Sequence, residues 1–239
     1  STQIAGLSPT QLGALSTTNI NALTTTQFGA LTATQFAGLT ETQLGGLTGG
    51  DFADFSATQI ATLTATQIQG LSASNLSSLD ATQIQGLSST QLSGLTASQL
   101  SGLNATDIGE FSTTQVGGLT GAQIGALSVT NLAALDTAQL GAISTTAIRG
   151  LSAYQVRKLD LSDFNDLNKS QIGALTTAQI SALSTTVVAG LTTTQIGYLA
   201  PTQIPGLTVT QLNWLSTTNV AAMSPAQVGA FTPAQVDSL

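Results

Sequence analysis

The chain has 239 residues, of which 41% are apolar and only 6% charged, with a formal net charge of −7 and neither cysteine nor histidine. Disordered acidic chains have the opposite balance, so this one is expected to fold. Disulfides, zinc sites and imidazole catalysis are excluded by composition, and an acidic chain without a basic run argues against a nucleic-acid partner.

Ser1 to Gly6 already fall in the register of an eight-residue phrase, Leu-[Ser/Thr]-x-[Thr/Ser]-Gln-[Ile/Leu/Val]-x-[Gly/Ala]. The phrase then runs from Leu7 to Ser238 as 29 full octads without insertion or deletion, and Leu239 opens a thirtieth. A strict short period means one unit stacked many times, so residues 1–239 read as a single continuous octapeptide-repeat solenoid. No apolar run approaches the ~18 residues of a membrane-crossing helix. No signal peptide is visible, and both ends fall inside the phrase, which suggests a window of a longer array or a chain whose neighbours cap it.

With leucine as position 1, positions 1 and 6 are apolar in all 29 octads. Position 2 is Ser, Thr, Asp or Asn in 28 of them, position 5 is Gln in 20, and position 8 is Gly or Ala in 20. Positions 1 and 6 have opposite parity, so one flat strand cannot bury both. A helix accounts for more: position 2 as N-cap and position 5 as the third helical residue make a capping box. Positions 1 and 6 then form a hydrophobic staple. Pro9, Pro201, Pro225 and Pro233 all stand at position 3, the first helical residue, where proline is best tolerated. The expected fold is an all-α solenoid of stacked one-turn helices, one per octad, with a Thr-rich β-solenoid as the alternative. The small residue at position 8 is expected to let the chain turn. Position 5 is never Glu, which points to a partly buried column of amides, read as a glutamine ladder.

Along the chain the departures recur. Asn19 is the first, and Asn75 and Asn131 follow it at intervals of 56 residues, or seven octads. Gly49 and Gly50 are not a phosphate loop, since no Gly-Lys-Ser/Thr follows. Asp51 replaces the glutamine, with Asp54 three residues on; Asp107 with Glu110 and Asp163 with Asp166 repeat this 56 residues apart. Phe55 and Phe111 keep the same interval, as do Asp80 and Asp136. Block duplication explains such a pattern, and so does a whole number of superhelical turns every seven octads. Asp51, Asp54, Asp107, Glu110, Asp160, Asp163 and Asp166 are the calcium candidates, because calcium takes several oxygen ligands. The plainer reading, preferred here, is an aspartate favoured at a helix N-terminus, so no metal and no cofactor is expected.

Arg149, Arg157, Lys158 and Lys169 are the only cations and lie within 21 residues of one another. Without histidine, a serine nucleophile would need Lys158 or Lys169, and neither stands in a recognisable motif, so no catalytic residue is assigned. Tyr198 and Trp214 replace the small residue at position 8 and are expected to project from corners. The hydroxyl triplets at positions 2 and 4 would share one face on a strand, as in some ice-binding solenoids.

The units LTATQIQG at 63–70, LSSTQLSG at 87–94 and LTTTQIGY at 191–198 resemble the Ser/Thr-rich octapeptide arrays of large secreted bacterial surface proteins, adhesin-like and exported from Gram-negative cells. The resemblance covers the whole chain and implies a secreted structural or adhesive role, with no functional residue to carry over. The reading is an extracellular or cell-surface structural protein forming a stalk, filament or surface-layer element, not an enzyme. It is expected to self-associate end to end or side by side. The alternative is a surface-binding module for glycan, ice or mineral that uses a regular Thr/Ser face.

Overall fold

The computed structural model describes residues 2–238, and among them there are short helices and no β-strand. The all-α solenoid is the observed fold. Each regular octad forms a helix of four to six residues, such as Pro9–Gly13, Ala65–Gln69 and Thr177–Ala182. Helices this short do not persist alone in water, so capping and stacking must hold them.

The caps follow the phrase. The Ser152 hydroxyl accepts from the Gln155 backbone amide at 3.2 Å, and the Gln155 side-chain oxygen accepts from the Ser152 amide at 2.7 Å. The same pair of bonds recurs at Thr40 with Gln43, Thr96 with Gln99 and Thr192 with Gln195. Position 2 is extended, with φ −70° and ψ 156° at Ser152, so the chain enters each helix through a corner. Positions 1 and 6 fill the core: Ile68, Leu92 and Leu100 are fully or almost fully buried, and Leu87, Leu95 and Leu103 nearly so. Phe55 gathers Phe28, Phe36 and Phe52 edge-on, with centroids 4.6 to 5.3 Å away.

The glutamines join one turn of the coil to the turn before. The Nε2 of Gln99 donates to the Ile68 and Leu71 carbonyls, both at 2.7 Å. Gln43, Gln115, Gln171 and Gln227 repeat this, always to carbonyls 28 and 31 residues earlier. One turn therefore takes about 28 residues, which is three and a half octads of eight. These amides bond to backbone rather than to each other, so the glutamine ladder is corrected to a column of side chain to carbonyl stitches. The reason is reach: the amide oxygen is held at its own cap, which aims the nitrogen at the corner one turn back.

A second correction concerns position 8. No described residue has a positive φ, so the small residue is not there for a left-handed turn. It is there for close approach. A Cβ on Gly38 would lie 2.6 Å from the backbone of Pro9, and one on Gly94 would lie 2.8 Å from the Ala65 Cβ. In both cases the contact is with position 3 of the preceding turn.

Two octads form 3₁₀ turns instead of α-helices, Ile148–Gly150 and Pro201–Gly206. Each retains half of the capping box. In the first, Ala147 replaces the glutamine and only Ser144 caps, at 3.1 Å. In the second, Ala200 lacks a hydroxyl and only the Gln203 oxygen reaches back, at 2.6 Å. Pro205 stands inside that turn.

The contacts divide the chain into two compact units. One comprises the residues up to Leu119 together with Thr130–Ala134, the other Thr120–Val129 together with the residues from Leu135 on. Each is built from the same stitched octads. No helix among the described residues is long and apolar enough to cross a membrane.

Candidate functional site

The seven-octad recurrence of acidic residues has a geometric counterpart. Two turns of about 28 residues make 56, so Asp51 and Asp107, within one unit, stand two turns apart. Their carboxylates are turned to local work. Asp51 accepts from the Thr48 amide at 2.8 Å and the Thr48 hydroxyl at 2.7 Å, while Asp54 takes the Thr25 hydroxyl at 2.8 Å. Asp107 accepts from the Asn104 amide at 2.9 Å. It is almost fully buried, and the Ser77 hydroxyl, one turn earlier, donates to it at 2.6 Å. Here the direction of the stitch is reversed: the carboxylate cannot donate, so the preceding turn supplies the donor.

Asp160 and Asp163 cap one helix reciprocally, at 2.9 and 3.1 Å. Burial pushes the Asp163 carboxyl up; the Asp160 hydrogen bond opposes this, and the charges of Asp160 and Asp166 add to it. Glu110 is also raised, first by desolvation and then by Asp107 and Asp80. Asp51, Asp54, Asp107, Asp160 and Asp163 thus serve cap or inter-turn donors. Among the described residues no group of three or more acidic side chains is gathered so as to hold a metal ion.

The hydroxyl triplets divide in two. Position 2 is engaged at the caps, while position 4 is exposed, as at Thr26, Thr66 and Thr114. Because a turn holds three and a half octads, identical positions return to register only every second turn.

The tyrosines, the tryptophan and the cationic side chains stand apart from this regularity, all in the second unit. Trp214 is 57% exposed and Tyr154 56%. Arg157 and Lys158 lie 5.7 and 5.9 Å from the Tyr154 ring centroid, and Lys169 lies 6.0 Å from that of Tyr198. Trp214 projects as the sequence suggests; Tyr198 is half-buried.

A hollow of about 310 Å³ is lined by Arg149, Gly173, Thr176, Thr177, Thr202 and Gln203, among others. Nothing in the phrase marks it, because it joins residues from three turns. The signals that could have found it are the losses at Ala147 and Ala200. A larger hollow, about 430 Å³ and bordered by Leu212, Leu215 and Val220, has no ionisable side chain in its lining.

Three stretches of the chain, 1–33, 132–169 and 172–209, match the ALTTAQ repeat family. The six letters of that description read verbatim from Ala174 to Gln179, spanning position 8 of one octad and positions 1 to 5 of the next. No curated protein matches the chain. The chain is thus similar to a known repeat type, which supports reading it as a repeat protein.

Proposed function

We propose that the octad array is an extracellular structural element of a bacterial cell surface, adhesin-like in role, forming a stalk, filament or surface-layer component rather than an enzyme. The observation that carries this reading is the glutamine stitch. Most glutamine octads past the first turn are joined to the preceding turn by the same buried hydrogen bonds, as Gln99 and Gln171 illustrate. Length can therefore grow by adding octads at constant contact energy, which is the economy of a solenoid used as a spacer. Low charge supports side-by-side self-association, since little repulsion separates neighbouring copies. Four cationic side chains in 239 residues leave few tryptic sites, which suits exposure to proteases.

The second reading, a binding face of regular hydroxyls for glycan, ice or mineral, ranks lower. A lattice match needs identical groups at every layer, and the half-octad stagger returns them only at every second turn.

Electron microscopy and light scattering on the purified chain at micromolar concentration test the assembly. Ordered, laterally or axially associated particles are expected. A strictly monomeric species across that range rejects the filament.

A further inference from the structure

The two octads that lose the α-helical turn meet at one place. Arg149 stands on the first 3₁₀ turn, and Thr202 and Gln203 on the second. All three line the hollow of about 310 Å³, together with Gly173, Thr176 and Thr177 from the turn between. The same two octads carry the departures Ala147, Ala200 and Pro205 from the phrase. Gly173 also lies against the Tyr198 backbone, where a Cβ would be 3.4 Å from the carbonyl oxygen. Tyr198 replaces the usual small residue at position 8, and the Lys169 ammonium lies 6.0 Å from its ring centroid. Gly173 thus shares the hollow with Arg149 and lies against the Tyr198 carbonyl oxygen.

We propose that this hollow binds an acidic saccharide, a sugar carrying carboxylate or sulfate. The exposed Arg149 guanidinium offers a planar fork that matches such an anion. Lys169, held beside the Tyr198 ring outside the lining, adds positive charge at longer range. Thr177 and Thr202 are exposed hydroxyls that both donate and accept, as sugar hydroxyls require. Thr176 and Gln203 shape the wall instead. The Thr176 hydroxyl caps its helix, and the Gln203 amide donates to the Ile172 and Leu175 carbonyls at 2.9 and 2.7 Å. One lining cation on a chain of net charge −7 suits a ligand with widely spaced charges. Nucleic acid, with its closely spaced phosphates, needs a larger basic surface.

The inference rests on these side chains alone and does not depend on filament formation. Isothermal titration calorimetry with a galacturonate trisaccharide and a sulfated galactose trisaccharide tests it, with the neutral galactose trisaccharide as control. The full chain should bind at least one acidic probe saturably and more tightly than the neutral one. Arg149→Gln should weaken that binding at least about tenfold, the loss expected for one charge-assisted contact, and Lys169→Gln should weaken it less. Arg157→Gln, beside Tyr154, should leave it unchanged. The proposal is overturned if neither acidic probe binds saturably or if Arg149→Gln binds like the parent chain. Tighter binding of a single-stranded oligonucleotide than of either saccharide would overturn it too.

Discussion

Glutamine at position 5 combines two tasks. Its oxygen completes the capping box, and its nitrogen satisfies carbonyls one turn away. Asparagine does the same with shorter reach: Asn75 donates to Leu47 at 2.8 Å. Glutamate would cap equally well but would bring a carboxylate against two carbonyls. The absence of Glu was legible in the sequence. The partner was not, because the accepting carbonyl lies 28 residues away and every octad presents an identical one. Gln99→Glu is therefore expected to cost about 3 kcal/mol or more, through a buried unpaired charge and orphaned acceptors. Thr96→Ala, which removes only the cap of the same helix, should cost about 1 kcal/mol. Urea unfolding of the two variants checks the order, and an equal or reversed cost rejects the stitch. Asp163 gives a pH test. Its native carboxyl is raised above the ordinary 3.8 by burial and by its acidic neighbours, so the folded state holds the proton more tightly than the unfolded state. The resulting deficit in stability is full above the raised native value and vanishes as pH falls through it toward 3.8. Asp163→Asn keeps a cap acceptor and removes the charge. Its melting temperature should exceed the parent's at pH 7, and the gap should close near pH 4. A constant gap across that range would show that charge is not the cause.

At the scale of one octad, most of the local structure could be read directly. The capping box and proline at position 3 are features within eight residues, and both appear at Pro9–Gly13. The role of position 8 could not be read that way, since its constraint comes from the neighbouring turn. Gly94 faces Ala65 at distances that leave no room for a branched side chain. Gly197, inside the helix Thr193–Tyr198, has nothing within 4 Å of a would-be Cβ. The two glycines should thus respond in opposite senses. Gly94→Val is expected to destabilise by about 1–3 kcal/mol through overpacking. Gly197→Ala should stabilise by about 0.5–1 kcal/mol, because alanine is the better residue inside a helix. Thermal melts check both signs, and a harmless Gly94→Val would reject close approach as the role of position 8. The saccharide hollow belongs to the same scale of failure. Ala147 and Ala200 each weaken one cap visibly, but only the coil brings their octads to one place.

For the whole molecule, the 56-residue recurrence was plain in the sequence, while its meaning depended on the length of a turn. Two turns of 28 residues give a physical reason for seven octads, whatever duplication supplied the block. It also follows that octads are interchangeable parts. Suppose Leu87–Gly94 is deleted from the first unit. Gln99 then lies 28 residues after Leu63 instead of Leu71, and both are position-1 residues with the same carbonyl to offer. The odd pair Ser77 and Asp107 would separate, and Gln69, another position-7 residue with a donor, would take the serine's place. Nearest-neighbour contacts elsewhere are unchanged, so stability should fall only by one unit's share. Deleting the four residues 87–90 is half as large a loss of chain, yet it puts every later leucine out of phase with the turn beneath. Circular dichroism and thermal melting separate the two. The octad deletion should keep the helical spectrum, with a fall in midpoint of no more than about 5 °C. The half-octad deletion should lose cooperative melting in the first unit. If the octad deletion were as damaging as the half-octad one, the fold would depend on particular long-range partners, and an array whose length grows octad by octad could not be its use.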